Sequence, residues 1–372
     1  MLNLKAPVIP LGISTQDFNL YNRDFSRNKL QFSPDNIYIL CFGRFSDKNK
    51  ADLVPLLLAF KIILKTQKKV FLILAGNNLL NYTYNKFIEH LVSELGISDK
   101  IIFKYNAAGI TGNEKKMLFA SSDIFVSLID SVQETFGLTV LEAMSSGLPV
   151  VISDWSGYKD FIEHGKTGFL VTTYWTKCDS SANKISILEQ FDENLFLLSK
   201  SVCVDIKKVI DYLSLLIKNK NLRLDIGNRA QKYVMQNYDW SKVIPKYESL
   251  WDKLYLKANN KRQEKKKKLN FLPQYYNCFN HCSSYNLNKS SSVKITDFGI
   301  EMLERMDFPV TTNKFNTILL NLVLDILVCL TKNTLKIKTI IDSVRNKNYT
   351  EEMILFHIMW MMKNYYIEYR SK

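Results

Sequence analysis

The chain has 372 residues, enough for a large domain and a smaller one, and 47% of them are apolar, which excludes wholesale disorder. Lys and Arg outnumber Asp and Glu by 50 to 36; the resulting +14 suits an anionic partner without choosing among phosphate, nucleic acid and acidic membrane. Six cysteines in so long a chain exclude a dense disulfide framework, and the longest apolar stretch, 318–330, is broken by Asn321 and Asp325 and too short to span a bilayer. A reduced, cytoplasmic setting with at most peripheral membrane contact is therefore expected.

Residues 1–36 are mixed and rich in turn formers. From Ile37 short β-prone runs begin, at 37–42, 70–75, 101–104, 124–128, 149–153 and 168–172. Helix-like segments at 51–66, 84–95, 113–121 and 138–146 lie between most of them. This alternation predicts βαβ units and a parallel sheet covered on both faces, an α/β, Rossmann-like, doubly wound domain. Residues 173–200 read as an irregular insertion. Helices are expected at 205–218 and 221–236, and a third from Asp239, a plausible N-cap, to Leu256.

The charged run Lys261–Lys268 reads as a solvated linker, or alternatively as an attraction site for anionic lipid or nucleic acid. Beyond Val293 apolar residues recur at helical spacing, with a Tyr-rich end at 365–369 that would suit a short strand. Three helices and a strand are winged-helix-like in pattern; packing or oligomerisation is the commoner use of such a module. Cys278-Phe-Asn-His281-Cys282 has a metal-site flavour, but without a second ligand pair it predicts no metal.

The informative stretch is Asp130-Ser-Val-Gln-Glu134-Thr-Phe-Gly137-Leu138, continuing to Glu142, Gly147 and Pro149. A strand ends in a loop, and the loop turns through Gly137 into a helix that stops at Gly147. The helix start thus falls beyond the carboxyl end of a parallel strand, where open α/β sheets bind ligands. Its free N–H groups, near Phe136, Gly137 and Leu138, can hold a phosphate, aided by the helix dipole. Glu134 before the turn and Glu142 inside the helix can accept paired hydrogen bonds from vicinal hydroxyls. A second element, Gly43-Arg44-Phe-Ser-Asp-Lys48-Asn-Lys50, follows the first strand. Arg44 supplies a planar fork and Lys50 a mobile ammonium for a diphosphate, with Lys48 a rival to Lys50.

Together with Ser156-Gly-Tyr-Lys-Asp160 and His164-Gly-Lys-Thr-Gly168-Phe-Leu, these motifs make residues 37–172 resemble the C-terminal donor-binding domain of family 4 glycosyltransferases, which have the glycosyltransferase-B fold. The resemblance implies roles. Arg44, Lys50 and Glu134 would be catalytic: the cations neutralise the donor diphosphate and the leaving group, and Glu134 holds hydroxyls of the transferred sugar. Gly43, Phe136, Gly137, Leu138 and Glu142 would bind the donor, Glu142 through the ribose. It implies transfer of a hexose-type sugar from a nucleotide diphosphate sugar, with retention, and no metal or other cofactor. The sequence contains no Asp-x-Asp pair, in keeping with that. A nucleic-acid partner is not expected.

On this resemblance 1–36 is the segment that bridges two domains, 37–256 the nucleotide-sugar-binding domain, 257–292 a basic linker and 293–372 a small helical module. The acceptor-binding half is then missing from the sequence. A partner chain supplying it, a noncatalytic nucleotide-sugar-binding or scaffold subunit, and a truncated remnant are the alternatives. His164 lies in a Gly-flanked turn and is not expected to be a catalytic base.

Overall fold

The computed structural model describes residues 7–47, 50, 52–77, 82–106, 110–131, 134–178, 191–258, 275–306, 318–345 and 349–371. Strands β1 (Ile37–Phe42), β2 (Val70–Asn77), β3 (Ile101–Asn106), β4 (Ile124–Ser127), β5 (Val150–Ser153) and β6 (Gly168–Val171) form one sheet in the order β3-β2-β1-β4-β5-β6. Every pairing in it is parallel. The predicted α/β fold is therefore present, strand for strand.

Alternation within the strands explains why both faces are covered. Ile39 and Cys41 enter a core shared with helices α2 (Val54–Leu64), α3 (Tyr82–Glu94) and Ile206–Lys218. Tyr38 and Leu40 point the other way, to a core shared with α4 (Gly112–Ser121), α5 (Leu138–Ser145) and Lys220–Asn237. An earlier helix, α1 (Arg23–Leu30), packs on α4. Its Arg27 is buried, donating to Asp123 Oδ2 at 2.6 Å and to the Ser121 carbonyl at 2.9 Å. Burial holds the Arg27 pKa below its ordinary value although Asp123 opposes this.

Local chemistry sets the helix ends. Thr111 Oγ1 accepts from Glu114 N at the start of α4, and Asp205 Oδ1 from Lys208 N at the start of Ile206–Lys218. α5 stops where Gly147 turns left-handed (φ 75°), with Leu148 N donating to the Ala143 carbonyl at 3.1 Å. Asp239 caps the helix Trp240–Ala258 by accepting from Ser241 N at 2.9 Å.

Beyond β6 the chain departs from the expected irregular insertion. β7 (Thr173–Trp175) pairs antiparallel with β8 (Val202–Val204), reached through the helix Phe191–Ser201. β7 also pairs with β9 (Tyr285–Asn286), so residues grouped in the sequence with a basic linker here complete a sheet. The short helix Tyr275–Phe279 precedes that strand, and Trp155, Trp175 and Cys282 share a small core that Tyr276 packs against. The run Lys261–Lys268 lies outside the described residues. In the tail, β10 (Ser292–Ile295) lies between β11 (Leu335–Lys336) and β12 (Ile367–Arg370). Helices Asp297–Arg305, Leu320–Leu330, Ile337–Val344 and Glu351–Lys363 surround this sheet. The last of them buries ten consecutive residues, Ile354 to Lys363, which is why its apolar pattern runs all round. No helix among the described residues is long and apolar enough to cross a membrane.

Candidate donor site at the sheet crevice

The sheet reverses its winding between β1 and β4, so the loops that follow these two strands diverge and leave a crevice. A cavity of about 430 Å³ fills it. The loop after β1 contributes Gly43, Arg44 and Lys50; the loop after β4 and the start of α5 contribute Glu134, Phe136, Gly137 and Leu138. Seven of the eight sequence-predicted site residues therefore line one space. Glu142 is not among the lining residues. Lys48 lies outside the described residues.

Glycines make the crevice possible. Gly76, at the end of β2, approaches β1 so closely that a methyl group on it would lie 1.7 Å from the Gly43 carbonyl oxygen. A methyl on Gly43 would meet nothing within 4 Å, so that residue borders open space. Gly137 has φ 96°, a left-handed conformation, and heads α5. A methyl there would lie 2.2 Å from Tyr158 Cε1. The Ser156-Gly-Tyr motif forms the underside of this turn. Gly157 lets the Thr135 carbonyl come close, since a methyl would stand 2.1 Å from its oxygen. Tyr158, fully buried, hydrogen-bonds Ser127 Oγ at 3.1 Å. Burial, reinforced by Glu134, pushes the Tyr158 phenol well up.

The two loops meet through charge. Lys50 Nζ stands 3.0 Å from Glu134 Oε2, and Glu134 Oε1 accepts from Phe136 N at 3.3 Å. Arg44 is exposed at the rim. The N–H groups of Gly137 and Leu138 sit in the first turn of α5, where no intrahelical carbonyl reaches them. Cations on one wall and a helix start on the other can hold an anion of diphosphate type.

Glu142 turns instead toward α4, where Lys115 Nζ lies 2.6 Å from its Oε1. Its Oε2 is buried with no hydrogen-bond partner, and burial raises its pKa against the opposing pull of Lys115. Lys115 also lies over the rings of Phe42 and Phe18, at 5.1 and 5.6 Å. Spacing could not reveal this partner, because it comes from a different helix 27 positions away. Cys41, on the cavity wall, has its thiol pushed up to about 12 by burial and stays protonated. His164 Nδ1 accepts from Leu170 N of β6 at 3.1 Å. No group of three or more His, Cys, Asp or Glu side chains among the described residues could hold a metal ion.

Two buried ion pairs that no sequence motif marks stand at the bases of the two loops. Lys200 Nζ is 2.7 Å from Asp52 Oδ2, and Lys363 Nζ pairs with Asp130 Oδ2. Burial alone would raise Asp52, but Lys200 and Lys363 outweigh it and bring the carboxyl to about 2.

Residues 22–195 match the family model for glycosyl transferases, group 1. An uncharacterised glycosyltransferase of Methanocaldococcus jannaschii is 30% identical over 172 residues, which cover 45% of this chain and 41% of that protein. N-acetyl-alpha-D-glucosaminyl L-malate synthase of Bacillus anthracis is 27% identical over 191 residues, covering 51% of this chain and 39% of the relative. The chain thus spans well under two thirds of the length of these curated relatives. Among solved structures, sucrose-phosphate synthase from Thermosynechococcus elongatus shares the fold with a TM-score of 0.52 and 20% identity, over 68% of this chain and 53% of that one.

Proposed function

We propose, for a chain whose residues 22–195 match the family model for group 1 glycosyl transferases, that the crevice binds a nucleotide diphosphate sugar and activates it for transfer of a hexose-type sugar with retention. One observation carries the reading: Arg44 and Lys50 face the Gly137 start of α5 across a single cavity, at the winding switch of a parallel sheet. The diphosphate lies against the Gly137 and Leu138 amides, with Arg44 and Lys50 neutralising it and the charge that grows on the leaving group. Glu134 exchanges Lys50 for hydroxyls of the sugar. Glu142 offers its second oxygen to the ribose. No metal is needed in this scheme, because side-chain cations meet the charge. The setting is cytoplasmic.

The acceptor-binding surface is supplied by a partner chain. In support, Trp240, Ile244, Trp251, Leu254 and Tyr255 are all exposed and recur on one side of the helix Trp240–Ala258.

Calorimetric titration of the full chain with UDP-glucose and GDP-mannose tests the assignment. Binding that is lost in Arg44→Ala and weakened in Glu142→Ala supports it. Binding unchanged in both variants, or absent from the parent for every nucleotide sugar offered, refutes it. Binding without transfer under all acceptor conditions would identify a noncatalytic subunit.

A further inference from the structure

We propose that Lys363, the last residue of the helix Glu351–Lys363, is a positioning residue for the donor cavity, acting with Lys200 to fix the two loops that carry Lys50 and Glu134; its importance for catalysis rests on the functional reading above. Lys363 is 233 positions from Asp130 in sequence, yet its ammonium is buried against that carboxylate. The same ammonium donates to the Ser199 carbonyl at 2.8 Å. Asp130 lies near the start of the loop after β4 and stands four residues before Glu134.

The other loop is held from the same place. Lys200 Nζ bonds Asp52, two residues after Lys50, and Ser199 Oγ donates to the Asp47 carbonyl at 2.5 Å. Asp52 Oδ1 in turn accepts from Val54 N at 3.2 Å and from the Tyr84 hydroxyl at 3.0 Å. The stretch Ser199–Lys200 is therefore a hub: Asp47 and Asp52 attach on one side, and Lys363, carrying Asp130, attaches on the other. Trp155 Nε1 adds a bond to the Ser131 carbonyl at 2.9 Å, one residue further along the Glu134 loop.

Stability alone does not account for such an arrangement. Each buried ion loses several kcal/mol of hydration, and well-packed apolar residues commonly serve a core as well or better. What four charges supply is directional anchoring of particular backbone points. Those points are the bases of the two loops whose tips carry Lys50 and Glu134. A displacement of about 1 Å at a reacting group is enough to cost roughly 10²-fold in rate. The tail, on this view, is part of the donor site's foundation.

Hydrogen exchange on the full chain decides the point without any ligand. Lys363→Met should raise exchange in peptides covering residues 43–47 and 128–138 at least about tenfold, the factor that a local loss of ~1.4 kcal/mol gives, while β1, β2 and β5 keep their protection. Because Lys363→Met alone strands a buried carboxylate, Asp130→Asn/Lys363→Met is the second variant. It should recover thermal stability but not loop protection, and its nucleotide-sugar affinity should stay about tenfold or more below the parent's. Loop protection equal to the parent's, loss spread evenly over the sheet, or protection that returns in step with stability in the double variant would each overturn the tether. Failure of the parent to bind any nucleotide sugar would instead sink the functional reading, and the exchange pattern would still judge the tether.

Discussion

The ammonium of Lys50 lies 3.0 Å from Glu134 Oε2, so the two loops flanking the crevice are closed on each other by an ion pair. The side chains are 21% and 12% exposed, within reach of solvent on the cavity side. Pairs of this kind contribute on the order of 0–1 kcal/mol. A ligand presenting phosphate to Lys50 and hydroxyls to Glu134 would replace one contact with several, at little loss.

Arg44→Ala and Lys50→Ala should each reduce kcat/KM for sugar transfer by roughly 10²–10³, because charge stabilisation that matters most in the transition state is removed. Thermal midpoints should stay near the parent's, since Arg44 is exposed and Lys50 only half-buried. Rates measured beside melting curves check this; a rate loss matched by unfolding would argue against it.

Gly137→Ala should destabilise the chain by roughly 1–3 kcal/mol or more and abolish donor binding. The added methyl meets Tyr158 and the left-handed φ of 96° disfavours any side chain. Gly165→Ala, at φ 75° with open space around it, isolates the backbone part of that cost. Urea denaturation of the two variants separates strain from collision.

Lys115→Met should make stability fall as pH rises. Glu142 already has a raised pKa through burial, and losing the Lys115 counter-charge raises it further. A carboxyl that binds its proton more tightly when folded contributes stability below its unfolded pKa, and that contribution is lost as pH rises through the folded pKa. The unfolding midpoint in urea should therefore drop as pH rises above about 4.5 in Lys115→Met, more than in the parent. Lys115→Met/Glu142→Gln should remove the slope.

Asp52 predicts the opposite slope. Its folded pKa of about 2 lies below the ordinary 3.8, so its contribution is present above 3.8 and is lost as pH falls through about 2. A gap of this size corresponds to about 2 kcal/mol as an order of magnitude. Acid unfolding followed by circular dichroism should lose that component in Asp52→Asn, which should also weaken the chain at neutral pH because Lys200 is left buried without its carboxylate.

Much of the α/β part was legible because its signals are local. The strands of the large sheet are short, mostly apolar runs, β4 and β5 buried throughout, and Gly147, Pro149 and Asp239 mark helix ends by their own chemistry. The cavity followed because motif residues sit immediately after β1 and β4, where sheet topology fixes their position. What could not be read was long-range. Lys200 and Lys363 look like surface lysines in sequence, and only tertiary packing buries them. Strands β7 to β12 are two to four residues long, too short to show alternation, and β7 finds its partners far along the chain. Glu142 was correctly placed on the helix but its direction was set by Lys115, which no spacing rule connects to it.

The segment before α1 and the start of the helix Trp240–Ala258 are clasped together. Ile13 N donates to the Tyr238 carbonyl at 2.9 Å, Trp240 N to the Ile13 carbonyl at 3.1 Å, and Thr15 Oγ1 to Asp239 Oδ2 at 2.6 Å. Trp240 covers Gly12 so closely that a methyl there would lie 2.6 Å from the indole. Trimming the protein to begin at the first strand would thus unfasten its far side: Asp239 would lose the threonine, the indole its seat, and the aromatic-studded helix its fixed bearing.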